Sequence, residues 1–152
     1  MGKLEINIIF IRGVILNVNY DEIKKDLPSE QLIRLFMAAG WCKGEITQEQ
    51  KENFNIGFRN STYVVSAWED NYLIGAIRVI SDTIFRSVIY DLVVDPEYQN
   101  KGIGKELVRR CTSKYPNSEW LVQTTQEVYN YYEKLGFKVK EDVFLTKESK
   151  YF

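Results

Sequence analysis

Two glycines and two lysines lie together where a long apolar segment gives way to a helical pattern. In residues 90–111, YDLVVDPEYQNKGIGKELVRRC, an apolar run ends at a proline, and Lys101, Gly102, Gly104 and Lys105 follow. A helix that begins with glycines presents backbone N–H groups that no intrahelical carbonyl accepts, and its dipole favours an anion there. The spacing predicts a phosphate or pyrophosphate cradle; a glycine turn with solvated lysines is the alternative.

Two common nucleotide-binding motifs do not fit this segment. A P-loop needs a glycine where Gln99 stands and a serine or threonine where Glu106 stands. A Rossmann fingerprint needs a third glycine at Leu107 and an acidic residue near Thr124 and Thr125. The sequence therefore indicates a third kind of anion site.

The glycine loop and two longer stretches of the sequence resemble the motifs of one known family. Residues 99–104, QNKGIG, resemble the Q/R-x-x-G-x-G/A loop of the GNAT superfamily of acyl-CoA-dependent N-acetyltransferases. The segment DLVVDPEYQNKGIGKELVRRC resembles the strand–loop–helix motif of that family, and residues 129–138, YNYYEKLGFK, resemble its later Y-E-K-x-G-F segment. The resemblance covers residues 62–140, including the preceding hairpin, and is weaker before residue 60.

The resemblance implies that acetyl-CoA is the co-substrate and that no metal is needed. Backbone amides of the loop would hold the pyrophosphate, and the end of the preceding strand would offer backbone groups to the pantetheine arm. That strand would splay from its neighbour, EWLVQT, and leave a slot where the thioester meets an amine. The cofactor-binding residues implied are Leu92, Val93, Val94, Gln99, Asn100, Lys101, Gly102, Ile103, Gly104, Lys105 and Tyr132.

The resemblance makes Tyr132 the candidate general acid. A phenol with an unperturbed pKa of about 10 stays protonated at neutral pH and can donate to a leaving thiolate. Val128, Tyr131 and Leu135 share its helical spacing, so packing in the core is the alternative role. Tyr129 and Tyr131 are interpreted as packing residues.

The oxyanion donor and the base are less narrowly defined. The backbone N–H of Val93 or Val94 is the family-like oxyanion donor. Asp91 is the first candidate for a base or water-holding group, and Asp82 is the rival. Either carboxylate could instead attract an ammonium substrate or cap a turn, and no base is required if the amine is basic enough.

The segment of residues 29–60 is expected to form the helices that wall the acceptor site. The aromatic candidates for lining the acceptor site are Trp41, Phe54 and Phe58 of this segment and, further along the chain, Trp68. Trp41 and Asp82 are taken as acceptor-binding residues, and this lining favours a small, partly apolar, cationic amine. The alternatives are a protein acetyltransferase acting on an N-terminal amine or a lysine, and a non-catalytic acyl-CoA binding module.

The sequence contains no histidine. This absence removes Ser-His-Asp and Cys-His catalysis and the usual zinc sites. Cys42 follows Trp41 and could lie near the substrate, whereas Cys111 falls on the apolar face of a predicted helix. With no histidine to activate a thiol, direct transfer in a ternary complex is favoured over a covalent cysteine route.

The helices and strands that the sequence pattern predicts indicate an α+β fold in a single domain of residues 1–152. The resemblance implies a GNAT-like arrangement: a central, mostly antiparallel, twisted sheet with splayed middle strands, flanked by helices. Strands are predicted at residues 4–11, in a hairpin over 62–80, at 84–94, at EWLVQT, and at the two final segments FKVK and VFLT. Helices are predicted after a Ser29 cap and up to Gly40, after a Thr47–Gln50 capping box, after the glycines, and over QEVYNYYEKL. The stretch NVNYDEIKKDLPSE, residues 17–30, is interpreted as polar. The helix after the glycines has an apolar side of Ile103, Leu107, Val108 and Cys111, and a solvent side of Lys105, Glu106, Arg109 and Arg110, on which Glu106 and Arg110 are spaced to pair.

The overall composition restricts the classes of molecule that this chain is expected to bind. Of the 152 residues, 45% are apolar, and 20 basic residues oppose 21 acidic ones, so no global field draws the chain to nucleic acid or an acidic membrane. No apolar run approaches the roughly 18–20 residues of a membrane span, and Glu5 interrupts the only candidate leader. Two cysteines without a metal pattern fit a cytoplasmic location. The expected partner is a small-molecule amine, and exposed strands near the C-terminus allow a homodimer.

Overall fold

The computed structural model describes residues 6–11, 14–141 and 145–147. The strands are β1 (Ile6–Ile11), β2 (Val14–Asp21), β3 (Tyr63–Glu69), β4 (Tyr72–Ser81), β5 (Arg86–Val94) and β6 (Glu119–Val122). The helices are α1 (Ser29–Ala38), α2 (Gln48–Asn53), α3 (Ile56–Arg59), α4 (Ile103–Lys114) and α5 (Tyr129–Glu133). A 3₁₀ turn, Pro96–Tyr98, follows β5.

The strands form one sheet in the order β1-β2-β3-β4-β5-β6. Neighbouring strands are antiparallel except β5 and β6, which are parallel, so the predicted mostly antiparallel sheet is confirmed. The β5–β6 pairing runs from Arg86 opposite Glu119 to Ile89 opposite Val122, whereas β5 continues to Val94. In the part of the chain described here, the second half of β5 therefore has a neighbouring strand along one edge only, which is the predicted splay.

Strand β5 contains a β-bulge at Tyr90. Arg78 of β4 pairs with Asp91, whereas the next residue, Val79, pairs with Ile89. A bulge of this kind shifts the alternation of side chains between the two faces of a sheet. Ile89 accordingly packs in the core beneath α4, whereas Asp91 lines a cavity on the side of α1–α3.

Helices cover both faces of the sheet and enclose two hydrophobic cores. On one face α4 buries the side chains that its sequence pattern predicts, Ile103, Leu107, Val108 and Cys111. On the other face Leu32 and Leu35 of α1 pack with Phe58 of α3 against β3 and β4. Each fully buried leucine or isoleucine contributes about 1.5–3 kcal/mol relative to an exposed one, so these two stripes hold the helices to the sheet.

The helix ends confirm one predicted cap and correct another. Thr47 accepts a hydrogen bond from the Gln50 backbone and Gln50 accepts one from the Thr47 backbone, so the predicted capping box is present. Ser29 is the first residue of α1 rather than its cap, because Pro28 takes the non-helical cap position and supplies no side-chain hydrogen bond. Gly40 has a φ of 77°, which suits the predicted glycine at the end of α1.

The prediction missed strand β2, whose residues 17–21 fall in the stretch taken as polar. Leu16, Val18 and Tyr20 are buried in alternation with Asn17 and Asn19. The two asparagines hide a period of two residues that the buried positions keep. Residues 137–140, FKVK, form no strand, so that prediction is wrong. Part of the last predicted strand, 143–146, lies outside the described residues.

The polar face of α4 also differs from its prediction. Arg110 was placed on the solvent side but is buried, because Glu106 and Glu22 both accept hydrogen bonds from its guanidinium. The predicted Glu106–Arg110 pair is confirmed. Over the described ranges, no helix has the length and apolar character needed to cross a membrane.

Candidate active site

Helix α4 begins with backbone donors that its own geometry leaves without helical partners. Its first i→i−4 bond runs from the N–H of Glu106 to the carbonyl of Gly102 at 3.0 Å, so the amides of residues 103–105 precede it. Gly102 occupies the cap position and supplies no side-chain hydrogen bond. Lys101 and Lys105 add positive charge at the end where the helix dipole already favours an anion.

The two glycines of this segment are needed for different reasons. Gly102 has a φ of 82°, in the left-handed region that favours glycine, and open space surrounds the position of a side chain. At Gly104 a Cβ atom would lie 2.7 Å from the hydroxyl of Tyr131 and 3.6 Å from Cγ2 of Val94. The expectation that both glycines serve the approach of an anion is therefore incomplete, because Gly104 also makes room for Tyr131.

An ion pair fixes the turn between β5 and the cradle. Asp95, whose side chain is 6% exposed, accepts a hydrogen bond from Nη1 of Arg34 at 2.8 Å and one from the N–H of Glu97 at 3.1 Å. Arg34 of α1 also donates to the backbone carbonyl of Leu73. Removing Arg34 would leave the buried carboxylate of Asp95 without its charged partner, so the contact holds the turn in one shape.

The predicted cofactor strand and loop are adjacent in the structure. Leu92, Val93 and Val94 pair with β4 along one edge and extend beyond the last paired residue of β6 along the other. The side-chain amide of Gln99 donates to the carbonyl of Val94 at 3.0 Å, which ties the loop to the strand end. Asn100 has a φ of 59°, so the chain reverses just before the start of α4.

Tyr132 belongs both to the core and to a cavity. Its side chain is 8% exposed, and its ring packs edge-on against Tyr131 at 5.2 Å and Phe137 at 5.6 Å between centroids. Burial, with a smaller contribution from Tyr131, raises the pKa of Tyr132 to about 12. It also lines a cavity of about 990 Å³ beside β6. The side chain is thus a protonated phenol at the border of the core, which is compatible with either predicted role.

Tyr131 is the residue whose surroundings the sequence interpretation missed. Its hydroxyl is buried and has no hydrogen-bond partner among the described residues. Burial raises the pKa of this phenol, so it remains a donor at neutral pH. Helical spacing predicts that the ring packs in the core, but only the fold shows that its hydroxyl lies against Gly104.

A second cavity, of about 950 Å³, lies on the side of α1–α3. Its aromatic and ionic lining includes Phe36, Trp41, Phe54, Phe58, Arg78 and Asp91. Trp41 is 52% exposed and its ring meets Phe36 edge-on at 5.4 Å. The structure therefore brings together four of the predicted acceptor-side residues, Trp41, Phe54, Phe58 and Asp91, whereas Trp68 is not part of this lining.

Asp91 is already engaged in this cavity. It accepts a hydrogen bond from Nε of Arg78, and both side chains are partly buried. The guanidinium of Arg78 lies 4.6 Å from the centroid of the Tyr90 ring. The bulge at Tyr90 therefore positions a carboxylate and a guanidinium together on the cavity wall.

Asp82 lies elsewhere, at the turn between β4 and β5. One of its carboxylate oxygens accepts hydrogen bonds from the N–H groups of Ile84, Phe85 and Arg86, at 2.9, 2.7 and 3.0 Å. These backbone donors, above all that of Arg86, lower the pKa of Asp82. The structure does not bring Asp82 together with Trp41 in the cavity, and the carboxylate takes the alternative role of capping a turn.

The two cysteines have the surroundings that the sequence suggests. Cys111 is fully buried in the core beneath α4, and burial raises the pKa of its thiol. Cys42 lines the cavity that also contains Trp41, and partial burial raises its thiol pKa as well. A thiol with a raised pKa is a poor nucleophile at neutral pH.

Comparisons with known proteins agree on one family. Residues 24–152 match the family described as "Acetyltransferase (GNAT) domain". The "Uncharacterized N-acetyltransferase ycf52" of Gracilaria tenuistipitata var. liui is 30% identical over 139 residues, covering 86% of this chain and 72% of that protein.

Solved structures share the fold. A GNAT-family acetyltransferase from Streptococcus pneumoniae TIGR4 superposes with a TM-score of 0.68 at 20% identity, covering 86% of this chain and 99% of that one. An aminoglycoside acetyltransferase from an uncultured soil metagenomic sample superposes with a TM-score of 0.66 at 25% identity, covering 87% of this chain and 95% of that one.

Proposed function

Because the chain belongs to the GNAT acetyltransferase family, we propose that it transfers an acetyl group from acetyl-CoA to a primary amine of a small molecule. The amine attacks directly, in a ternary complex. One observation carries this proposal: α4 starts without a side-chain cap, between two lysines, at the end of a strand whose second half is open along one edge.

The residues at the start of α4 suit the cofactor. The amides of residues 101–105, with Lys101 and Lys105, offer donors and positive charge for a diphosphate. The open edge of Leu92–Val94 offers backbone groups to the pantetheine arm, as another strand would. The bound thioester supplies an activated acyl carbon.

Each proton has a proposed carrier among the chain's own residues. As the C–N bond forms, the backbone N–H of Val93 or Val94 donates to the oxyanion. As the C–S bond breaks, the phenol of Tyr132 gives its proton to the leaving sulfur. The proton lost by the amine passes to water or to Asp91. A pKa of about 12 keeps Tyr132 protonated throughout the neutral range.

The α1–α3 cavity supports a small acceptor. Its volume of about 950 Å³ falls within the range of small-molecule sites, roughly 300–1,000 Å³. The exposed face of Trp41 can receive an apolar or cationic group, and Asp91, in its ion pair with Arg78, presents a carboxylate in the same cavity. The raised pKa of the Cys42 thiol favours direct transfer over a covalent cysteine route.

Two other functions are tested by the same assay. A protein acetyltransferase would use the same cofactor groups with a peptide amine, and a binding module would hold acetyl-CoA without turnover. Thiol release from acetyl-CoA is measured with small amines, with peptides bearing a free N-terminus or lysine, and without acceptor. We expect release that depends on small amines; release with peptides alone, or binding without release, would contradict the proposal.

The assembly of the chain is proposed separately. We propose a homodimer, with no nucleic acid or membrane as partner, although residues 137–140 do not form one of the exposed strands on which that prediction rests. Sedimentation velocity at micromolar concentrations measures the mass, and a single species at 17.9 kDa would contradict the dimer.

A further inference from the structure

We propose that Tyr131 is a cofactor-binding residue whose hydroxyl donates a hydrogen bond to acetyl-CoA where β5 ends and α4 begins. This inference rests on the proposed function, because it requires that the chain binds acetyl-CoA. It adds a side-chain donor to a site otherwise built from backbone amides and two lysines.

The hydroxyl of Tyr131 is an unsatisfied donor in a buried place. Among the described residues, three side-chain atoms are buried without a hydrogen-bond partner: Oδ1 of Asn19, Nε of Arg34 and Oη of Tyr131. Nearly all buried polar side-chain atoms in folded proteins have a partner, so each exception calls for a reason. Arg34 has one, because its other nitrogens hold Asp95 and a backbone carbonyl.

The position of the hydroxyl points to the cofactor. The Cβ that Gly104 lacks would lie 2.7 Å from Oη of Tyr131 and 3.6 Å from Cγ2 of Val94. The hydroxyl therefore lies beside the first turn of α4, proposed for the diphosphate, and the side of Gly104 that it faces is also the side near the end of β5, proposed for the pantetheine arm. Both parts of the cofactor carry oxygens that accept from an O–H group.

The ring of Tyr131 is held in place by packing. It meets the ring of Tyr132 edge-on, with centroids 5.2 Å apart, and it packs against the core beneath α4. A donor fixed in this way loses little further freedom when a ligand binds. Gly104 leaves the space that the hydroxyl occupies, so the position of Tyr131 on α5 depends on a glycine at the start of α4.

The test compares Tyr131→Phe with wild type and with Tyr129→Phe, a control on the same helix with a more exposed ring. Calorimetry measures the Kd for coenzyme A, and thermal unfolding measures the stability of the free protein. We expect the Kd to rise about tenfold in Tyr131→Phe, equivalent to about 1.4 kcal/mol. The free variant should melt at the wild-type temperature or above, because a buried unpaired hydroxyl has been removed. Tyr129→Phe should match wild type in both measurements.

Kinetics separate binding from proton transfer. At saturating acetyl-CoA, Tyr131→Phe should keep its kcat and show a raised KM, whereas Tyr132→Phe should lose kcat. ADP and pantetheine, titrated separately, locate the acceptor oxygen. A weaker affinity of Tyr131→Phe for ADP assigns it to the phosphates, and a weaker affinity for pantetheine assigns it to the arm.

The results that overturn this inference differ from those that overturn the proposed function. If wild type binds coenzyme A and Tyr131→Phe binds it equally well, Tyr131 is a packing residue and only this inference fails. A lower melting temperature with unchanged affinity has the same meaning. If wild type does not bind coenzyme A, the proposed function fails as well.

Discussion

Replacing Gly104 with alanine tests the contact between α4 and α5 directly. The new Cβ would lie 2.7 Å from the hydroxyl of Tyr131, closer than such atoms pack, so the buried ring must shift. Forcing an extra methyl group into a packed interior costs about 1–3 kcal/mol. At 2–4 °C per kcal/mol for a chain of this size, Gly104→Ala should lower the Tm by roughly 2–12 °C.

The sign of the effect should reverse when the hydroxyl is absent. In Tyr131→Phe the nearest ring atom to the new Cβ is Cζ at 3.7 Å, and Cγ2 of Val94 lies at 3.6 Å, both ordinary contacts. Alanine is preferred over glycine inside a helix by up to about 1 kcal/mol. Gly104→Ala should therefore be neutral or stabilising in that background, which predicts a coupling energy of about 2 kcal/mol.

The assay is equilibrium unfolding in urea of four proteins: wild type, Gly104→Ala, Tyr131→Phe and the double variant. Gly104→Ala combined with Tyr129→Phe is the matched control, because it retains the Tyr131 hydroxyl and should remain destabilised. Equal destabilisation by Gly104→Ala with and without the Tyr131 hydroxyl would refute the contact, and so would no destabilisation in either.

Three further predictions concern the chemistry and the cofactor. Tyr132→Phe should lower kcat by about 10²–10⁴-fold, the usual contribution of a general acid, with an unchanged Kd for coenzyme A; equal turnover in stopped assays would remove Tyr132 from the mechanism. Reversing the charge of either lysine, with Lys101→Glu or Lys105→Glu, should weaken coenzyme A binding at least tenfold. Lys114→Glu, at the other end of α4, should not weaken it. Similar calorimetric affinities in all three variants would count against the cradle. The pKa of Tyr132 is raised from 10.0 to about 12, so the stability this phenol contributes is fully present below pH 10 and is lost as the pH rises to about 12. The free energy of unfolding measured from pH 8 to 12 should therefore fall less steeply in Tyr132→Phe than in wild type. Parallel curves would contradict the raised pKa of Tyr132.

Several parts of this structure follow from local sequence. The apolar spacing of Ile103, Leu107 and Cys111 predicts the buried face of α4, because a helix repeats every 3.6 residues. Thr47 and Gln50 predict the start of α2, because both hydrogen bonds of a capping box form between residues three apart.

Other parts depend on contacts between distant segments, which local patterns do not contain. The bulge at Tyr90 arises from the register between β4 and β5, and it places Asp91 with Arg78 in the α1–α3 cavity. The place of the Tyr131 hydroxyl depends on how α5 docks against the start of α4. For that reason the sequence predicts a cradle at the start of α4 but does not predict that Gly104 also makes room for Tyr131.

Asp82 shows the same limit for a candidate site residue. The sequence leaves Asp82, in the turn of RVISDT, as a rival to Asp91, but in the structure this turn uses its carboxylate to bind three backbone N–H groups. Aspartate forms such turns readily, so turn chemistry explains its position without a substrate.

The central claim is that coenzyme A binds across the start of α4 and the open half of β5. Calorimetric titration of the purified chain with coenzyme A tests this most directly. We predict saturable binding of one coenzyme A per chain, with an affinity that falls as salt screens the lysines. Titration heats no larger than those of dilution, at millimolar coenzyme A, would contradict the account.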